Sequence, residues 1–220
     1  MVNILRQFKH LLFTTAFVLC AVTVMSQVKH QAPADNSVAA APVSNQLRDF
    51  YKRTNDAGVV FMFPSEFKEI SIPNEEDFSF DYAMELPDSE FEVWFQVKPQ
   101  KDNWLNYQRY KNDPVRRIAN PDLLYISMAR AQAVALKGEE PYFSRSISKD
   151  VLKRYNADAG RSFLLNLNDA HETKHYRYAL LLTLQKKHVG TVLAVCFTNE
   201  KNADFFKKVN RMSRYIKFKS

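Results

Sequence analysis

Glycine is scarce in this chain, four among 220 residues, and cysteine scarcer, with two. Neither G-x-G-x-x-G nor G-x-x-x-x-G-K-S/T occurs, which excludes the two glycine-rich loops that cradle nucleotide phosphates. No G-x-S-x-G context nominates a serine nucleophile, and no EF-hand spacing nominates a calcium loop. Two cysteines are too few for a disulfide-stapled scaffold. Beyond the first 26 residues no apolar run approaches the ~20 residues that span a bilayer. What remains is 46% hydrophobic and 25% charged, the balance of a globular protein and not of a disordered one. The length suits one domain around one core.

The first 26 residues read as an export signal. Arg6 and Lys9 make a positive start, acidic residues are absent before Gln27, and Leu11 to Met25 is a 15-residue apolar run. Val24 and Ser26 put permissive residues at the −3 and −1 positions, so cleavage is predicted between Ser26 and Gln27. The run falls short of a bilayer span, so the clipped chain is not expected to be an integral membrane protein. Leu19 before Cys20 argues against a lipidation box. The expected location is the periplasm or the cell exterior. Arg6, Lys9 and Cys20 leave with the leader; 31 Lys and Arg less those two, against 24 Asp and Glu, give a formal charge of +5. The one remaining thiol, Cys196, lies in the apolar run VLAVCFT, where it is expected to be a small buried hydrophobe and not a nucleophile.

Residues 27–44, rich in Ala, Pro, Gln and Ser, read as a flexible linker, and 45–220 as a single α+β domain. Val59 to Phe63 is a short strand stopped by Pro64. Phe78, Phe80, Tyr82 and Met84 alternate with polar neighbours; after Pro87-Asp88-Ser89, Phe91, Val93, Phe95 and Val97 do the same. Period two on both sides of a turn predicts an antiparallel hairpin. Asn120-Pro121-Asp122 opens a helix that Gly138 closes, expected to be well buried because its later part carries few charges. A short helix over 148–156 and strands over 162–167, 176–185 and 191–198 follow. The last two strands are apolar on both faces, so the sheet is expected to be covered on both sides. An amphipathic helix over 202–214, with Phe205, Phe206, Val209 and Met212 inward, precedes an edge strand at 215–218. The predicted architecture is an antiparallel sheet of about five to seven strands flanked by helices.

Three patterns bear on chemistry. His171-Glu172-Thr173-Lys174-His175 is a literal H-E-x-x-H. On a helix, two imidazoles one turn apart can share Zn²⁺ while the Glu polarises its water. The string lies in a polar link between strand-like runs, however. Extended, its two histidine Cα atoms stand about 13 Å apart, against about 6 Å on a helix. Lys174 adds a cation where zincins carry uncharged residues, and Glu200 is the candidate third ligand. A solvated hairpin loop is the competing reading. Second, charge is segregated: ten acidic residues and Lys68 fall between Glu66 and Glu92, while seven basic residues and Asp204 fall from Lys201 onward. Lys207, Lys208, Arg211 and Arg214 are candidates for an anionic surface, or are attracted to the acidic hairpin of the same molecule. Third, the outward face of the hairpin is expected to carry Asp81, Glu85, Glu90, Glu92 and Trp94. Such a face is too flat to enclose a hard cation, and Trp94 is expected to be packed, with Trp104 or Tyr107 as its cover.

FMFPSEFKEISIP, SFDYAMELPDSEFEVWFQVKP, YNADAGRSFLLNL, YRYALLLTLQKKHVGTVLAVCFT and FFKKVNRMSRYIKF, in that order, resemble exported Bacteroidota-type bacterial proteins of the PsbP-like fold over about residues 57–219. The resemblance implies an antiparallel sheet sandwiched by helices and a binding or accessory role. The expectation is therefore an exported, non-catalytic binding or accessory module with no catalytic residue, cofactor or metal assigned. A zinc-dependent hydrolase using His171, Glu172 and His175 is the alternative; a peripheral binder of anionic membranes is the third reading. An anionic surface or a protein is the expected kind of partner. No nucleic-acid partner is expected, since the export signal disfavours one.

Overall fold

A computed structural model describes residues 43–72, 79–138 and 143–220. The leader, its cleavage site at Ser26 and Gln27, and Phe78 of the predicted hairpin lie outside the described residues. Among the described residues five α-helices and nine strands follow in order: α1 (Asn45–Asp56), β1 (Val59–Phe61), β2 (Lys68–Glu69), β3 (Tyr82–Glu85), β4 (Phe91–Pro99), α2 (Lys101–Tyr110), α3 (Leu124–Lys137), β5 (Phe143–Ser146), α4 (Lys149–Tyr155), β6 (Ala159–Asn166), β7 (Tyr178–Lys186), β8 (Gly190–Thr198), α5 (Ala203–Arg211) and β9 (Ile216–Phe218). The fold is α+β. Seven strands form one antiparallel sheet in the order β2-β3-β4-β8-β7-β6-β5, and β1 and β9 pair antiparallel in a separate ribbon.

The centre of the sheet follows from the apolar doublets of the sequence. All nine residues of β8 are buried between β4 and β7, because a strand paired on both edges and covered on both faces meets no water. Alternation then divides the core. Phe91, Val93, Phe95 and Val97 of β4 join Tyr82, Met84, Leu182, Leu184 and Cys196 beneath α1, the β1–β9 ribbon, α4 and α5. Trp94, Ala83, Phe163, Leu165, Leu181 and Phe197 face the other way, toward Ala129, Ala133 and Leu136 of α3. Fully burying one such side chain contributes about 1.5–3 kcal/mol, so these two clusters hold the sheet and its covers together.

Several expectations need correction. Phe80 does not share a face with Tyr82 and Met84: it precedes β3 and packs on Trp94, ring centroids 5.3 Å apart. Trp94 is buried, as expected, but under Phe80 and Phe197 and not under Trp104 or Tyr107. The 120–138 segment starts with a 3₁₀ turn, Pro121–Leu123, capped by Asn120 Oδ1 accepting from Asp122 N at 3.0 Å, and ends at Gly138 with φ +85°. Its helix is only half buried, since Leu123, Leu124 and Val134 remain exposed; alanines let one side approach the sheet while nothing described covers the other. The C-terminal strand pairs with β1 and not with the main sheet. Helices α1 and α2 were not read from the sequence. In α1, Ser44, which the sequence places in the tether, accepts from Leu47 N at 3.0 Å and caps the first turn, while Phe50 and Thr54 form the buried stripe.

Two glycines permit the approach of α1 to the β7–β8 turn. Gly58 takes φ +64°, and a Cβ there would lie 2.5 Å from Val189 Cγ1. A Cβ on Gly190 would lie 2.8 Å from the Ala57 carbonyl oxygen. Only a residue without a side chain closes both contacts.

Candidate ligand groove

The 171–175 string does not form an α-helix. His171–Thr173 is a 3₁₀ turn, and Lys174 and His175 follow at φ +51° and +61°. The two imidazoles stand perpendicular, 6.3 Å between centroids, and His175 Nδ1 engages Asp169 Oδ1 at 2.5 Å. Glu200, the candidate third ligand, accepts from Asn202 Nδ2 at 3.0 Å. Among the described residues no three His, Cys, Asp or Glu side chains are gathered so as to hold a metal ion. The string instead does structural work through its two middle residues. Thr173 is buried, and Lys174 Nζ donates to Glu92 Oε1 and Oε2 at 2.9 and 3.0 Å. Glu92 also accepts from Trp94 Nε1 at 2.9 Å and Tyr176 OH at 3.2 Å. A buried carboxylate is tolerable only when charge-paired and hydrogen-bonded, and this turn delivers the cation. Burial, with the Glu92 charge second, pushes the Tyr176 phenol well above its ordinary range.

A second polar cluster joins three segments. Asp122, at the start of the 3₁₀ turn before α3, accepts from His188 N at 2.8 Å and Gln185 Nε2 at 3.1 Å, and its other oxygen meets His188 Nδ1 at 2.9 Å. Gln185 donates to Gln100 Oε1 at 2.9 Å and accepts from Thr191 Oγ1, and Trp104 stacks on His188 with centroids 3.6 Å apart. The carboxylate and imidazole are thereby committed to tying α2 and α3 to the β7–β8 turn. Cys196 is fully buried, which raises its thiol to about 12 and removes it from nucleophilic chemistry at neutral pH.

The attraction expected between the acidic segment and the C-terminal helix is present but weak: the Glu66 carboxyl is held below its ordinary range chiefly by the Tyr215 hydroxyl's hydrogen bond and in small part by the charge of Arg211. The acidic hairpin takes its cations from elsewhere: Arg53 meets Asp81 at 3.2 Å, Lys68 meets Glu85 at 3.8 Å, and Lys174 meets Glu92. On α5, Lys208 pairs with Asp204 at 2.9 Å and donates to Ser89 Oγ at 2.8 Å. Lys207, Arg211 and Arg214 have no ion pair within 4 Å among the described residues.

Among the described residues, an apolar depression of about 590 Å³ lies on the α4–α5 side of the sheet. Its floor is two cross-strand rows, Phe143–Leu164–Leu180 and Arg145–Ser162–Leu182, set by the registers of β5, β6 and β7. Val151 and Tyr155 of α4, with Ile147 just before it, form one wall; Phe206, Val209 and Asn210 of α5 form the other. The two helices stand apart over these strands, so Leu164 and Leu180 are only half buried. Phe206, expected inward, lies 38% exposed at the rim, and Phe143 is 66% exposed across from it. A larger depression of about 740 Å³, around Asp169, His175, Arg177 and Lys201, is open and polar. Its groups are already engaged, His175 with Asp169 and Lys201 with Asn166 at 3.1 Å. Ligand sites are concave, mainly apolar and about 300–1,000 Å³, which favours the α4–α5 groove. The sequence offered one signal for it: Ser162 and Leu164 alternate with the buried Phe163 and Leu165, leaving the second face of β6 mixed. Nothing in the pattern shows that two helices part over that face.

No helix among the described residues is long and apolar enough to cross a membrane. No family model matches the chain, and no curated protein matches its sequence significantly.

Proposed function

We propose that this protein is an exported, non-catalytic binding module whose ligand seats between α4 and α5 on β5–β7. The observation that carries this reading is the apolar groove itself, walled by two helices and rimmed by Phe143 and Phe206. The export signal and the resemblance to PsbP-like exported proteins, which implies a binding or accessory role, support the same reading.

The test is titration with a neutral naphthylamine probe. Saturable one-to-one binding with a blue-shifted emission, weakened at least fivefold by Phe206→Ser with unchanged thermal melting, is expected. Absence of saturable binding overturns the groove reading. Turnover of a peptide, glycan or ester panel, lost on one point mutation, overturns the non-catalytic one.

A further inference from the structure

Building on that binding reading, we infer that the groove's ligand is a single-tailed amphiphile with one carboxylate head: the tail lies along Phe143, Leu164, Leu180 and Val209, and the head meets the Arg145 guanidinium.

The lining contains one charged side chain, Arg145, and no carboxylate. Arg145 stands opposite Ser162 in the β5–β6 register, and Ser146 and Ser148 line the same end. Among the described residues its guanidinium makes no ion pair within 4 Å. A planar guanidinium beside hydroxyls suits a carboxylate, which it can bind through two parallel hydrogen bonds. The next row of the floor, one β repeat or roughly 7 Å away, is wholly apolar. Head and tail subsites therefore lie side by side in one groove. Helix α5 adds further positive charge beside the groove. With 3.6 residues per turn, Phe206 and Asn210 on the groove side put Lys207, Arg211 and Arg214 on the adjoining flank of α5 and its 3₁₀ extension. These cations, which also act at longer range on Asp204 and Glu66, favour approach of an anionic ligand at low salt.

Isothermal titration of the purified protein with dodecanoate, dodecanol and dodecyltrimethylammonium, each below its micelle concentration or solubility limit, separates head from tail. The expected result is one-to-one binding of dodecanoate at least tenfold tighter than dodecanol, with the cationic amphiphile weakest. Arg145→Gln should erase the preference for the acid while leaving dodecanol binding and thermal melting unchanged, and Arg145→Lys should restore part of it. Equal affinity for all three heads, or an acid preference that survives Arg145→Gln, overturns the carboxylate assignment and leaves the groove reading standing. Failure of all three amphiphiles and of the neutral naphthylamine probe overturns both.

Discussion

Lys174 illustrates how a residue that spoils one reading carries another. In the H-E-x-x-H string it is an unwelcome cation beside a metal; in the fold it neutralises Glu92 under Trp94 and Tyr176. Lys174→Ala should destabilise the protein by roughly 2 kcal/mol, because it strips a buried carboxylate of its charged donor. His171→Ala should change stability by less than about 0.5 kcal/mol, since the ring is exposed and its neighbours do not depend on it. Urea unfolding of the two variants checks the contrast; equal effects would contradict the clamp. The buried thiol gives a second prediction at this scale. With Cys20 replaced by Ser, Cys196 should resist a disulfide reagent at pH 8 in the native protein and react fully in denaturant, as follows from its full burial on β8 and its raised pKa of about 12. Native-state reactivity at an ordinary thiol rate would show that β8 is open.

At the scale of elements, the helix starts and turns were legible because their signals are local. Asn120-Pro121-Asp122 needs only its own backbone to cap a turn, and Asp88 can take φ +58° at the β3–β4 turn without tertiary help. Helix α1 was missed because its stripe of Leu47, Phe50 and Thr54 is short and follows a polar tether, and α2 because none of its residues is buried. The 171–175 turn was legible as a loop but not as a clamp, because Glu92 is 82 residues away along the chain. Junctions between elements depend on such distant pairs. Asp122→Ala should cost about 1–3 kcal/mol by leaving the His188 amide without its acceptor and removing one of those of Gln185 Nε2. Amide hydrogen exchange should then speed at the β7–β8 turn and the start of α3 before it does so in β4 or β6. Uniform acceleration across the sheet would contradict a local tie.

For the whole molecule, the buried phenols set the behaviour in alkali. Tyr82, Tyr155 and Tyr176 are each pushed well above the ordinary tyrosine range, mainly by burial. Their raised folded values mean that the stabilisation is complete below the unfolded value near pH 10 and is lost as pH rises above it. Stability should fall by about 1.4 kcal/mol per pH unit for each of the three phenols. The measurement is urea unfolding at pH 9, 10.5 and 11, with tyrosinate absorbance followed in parallel. Ionisation of all ten tyrosines in the folded state would contradict this. The groove belongs to the same scale, since it exists only where α4 and α5 stand apart over β5–β7.

The amino-acid sequence by itself determined the fold class, the hairpin, the doubly covered strands and the capped helix before Gly138. Period, cap and turn chemistry act over a few neighbouring residues and leave their mark on the linear order. Only the tertiary structure decided that Lys174 serves Glu92, that Phe206 turns to a rim and not inward, and that Arg145 is the one charge in an apolar groove. Those facts depend on the spacing of helices over a sheet, which is set by the summed packing of side chains far apart along the chain.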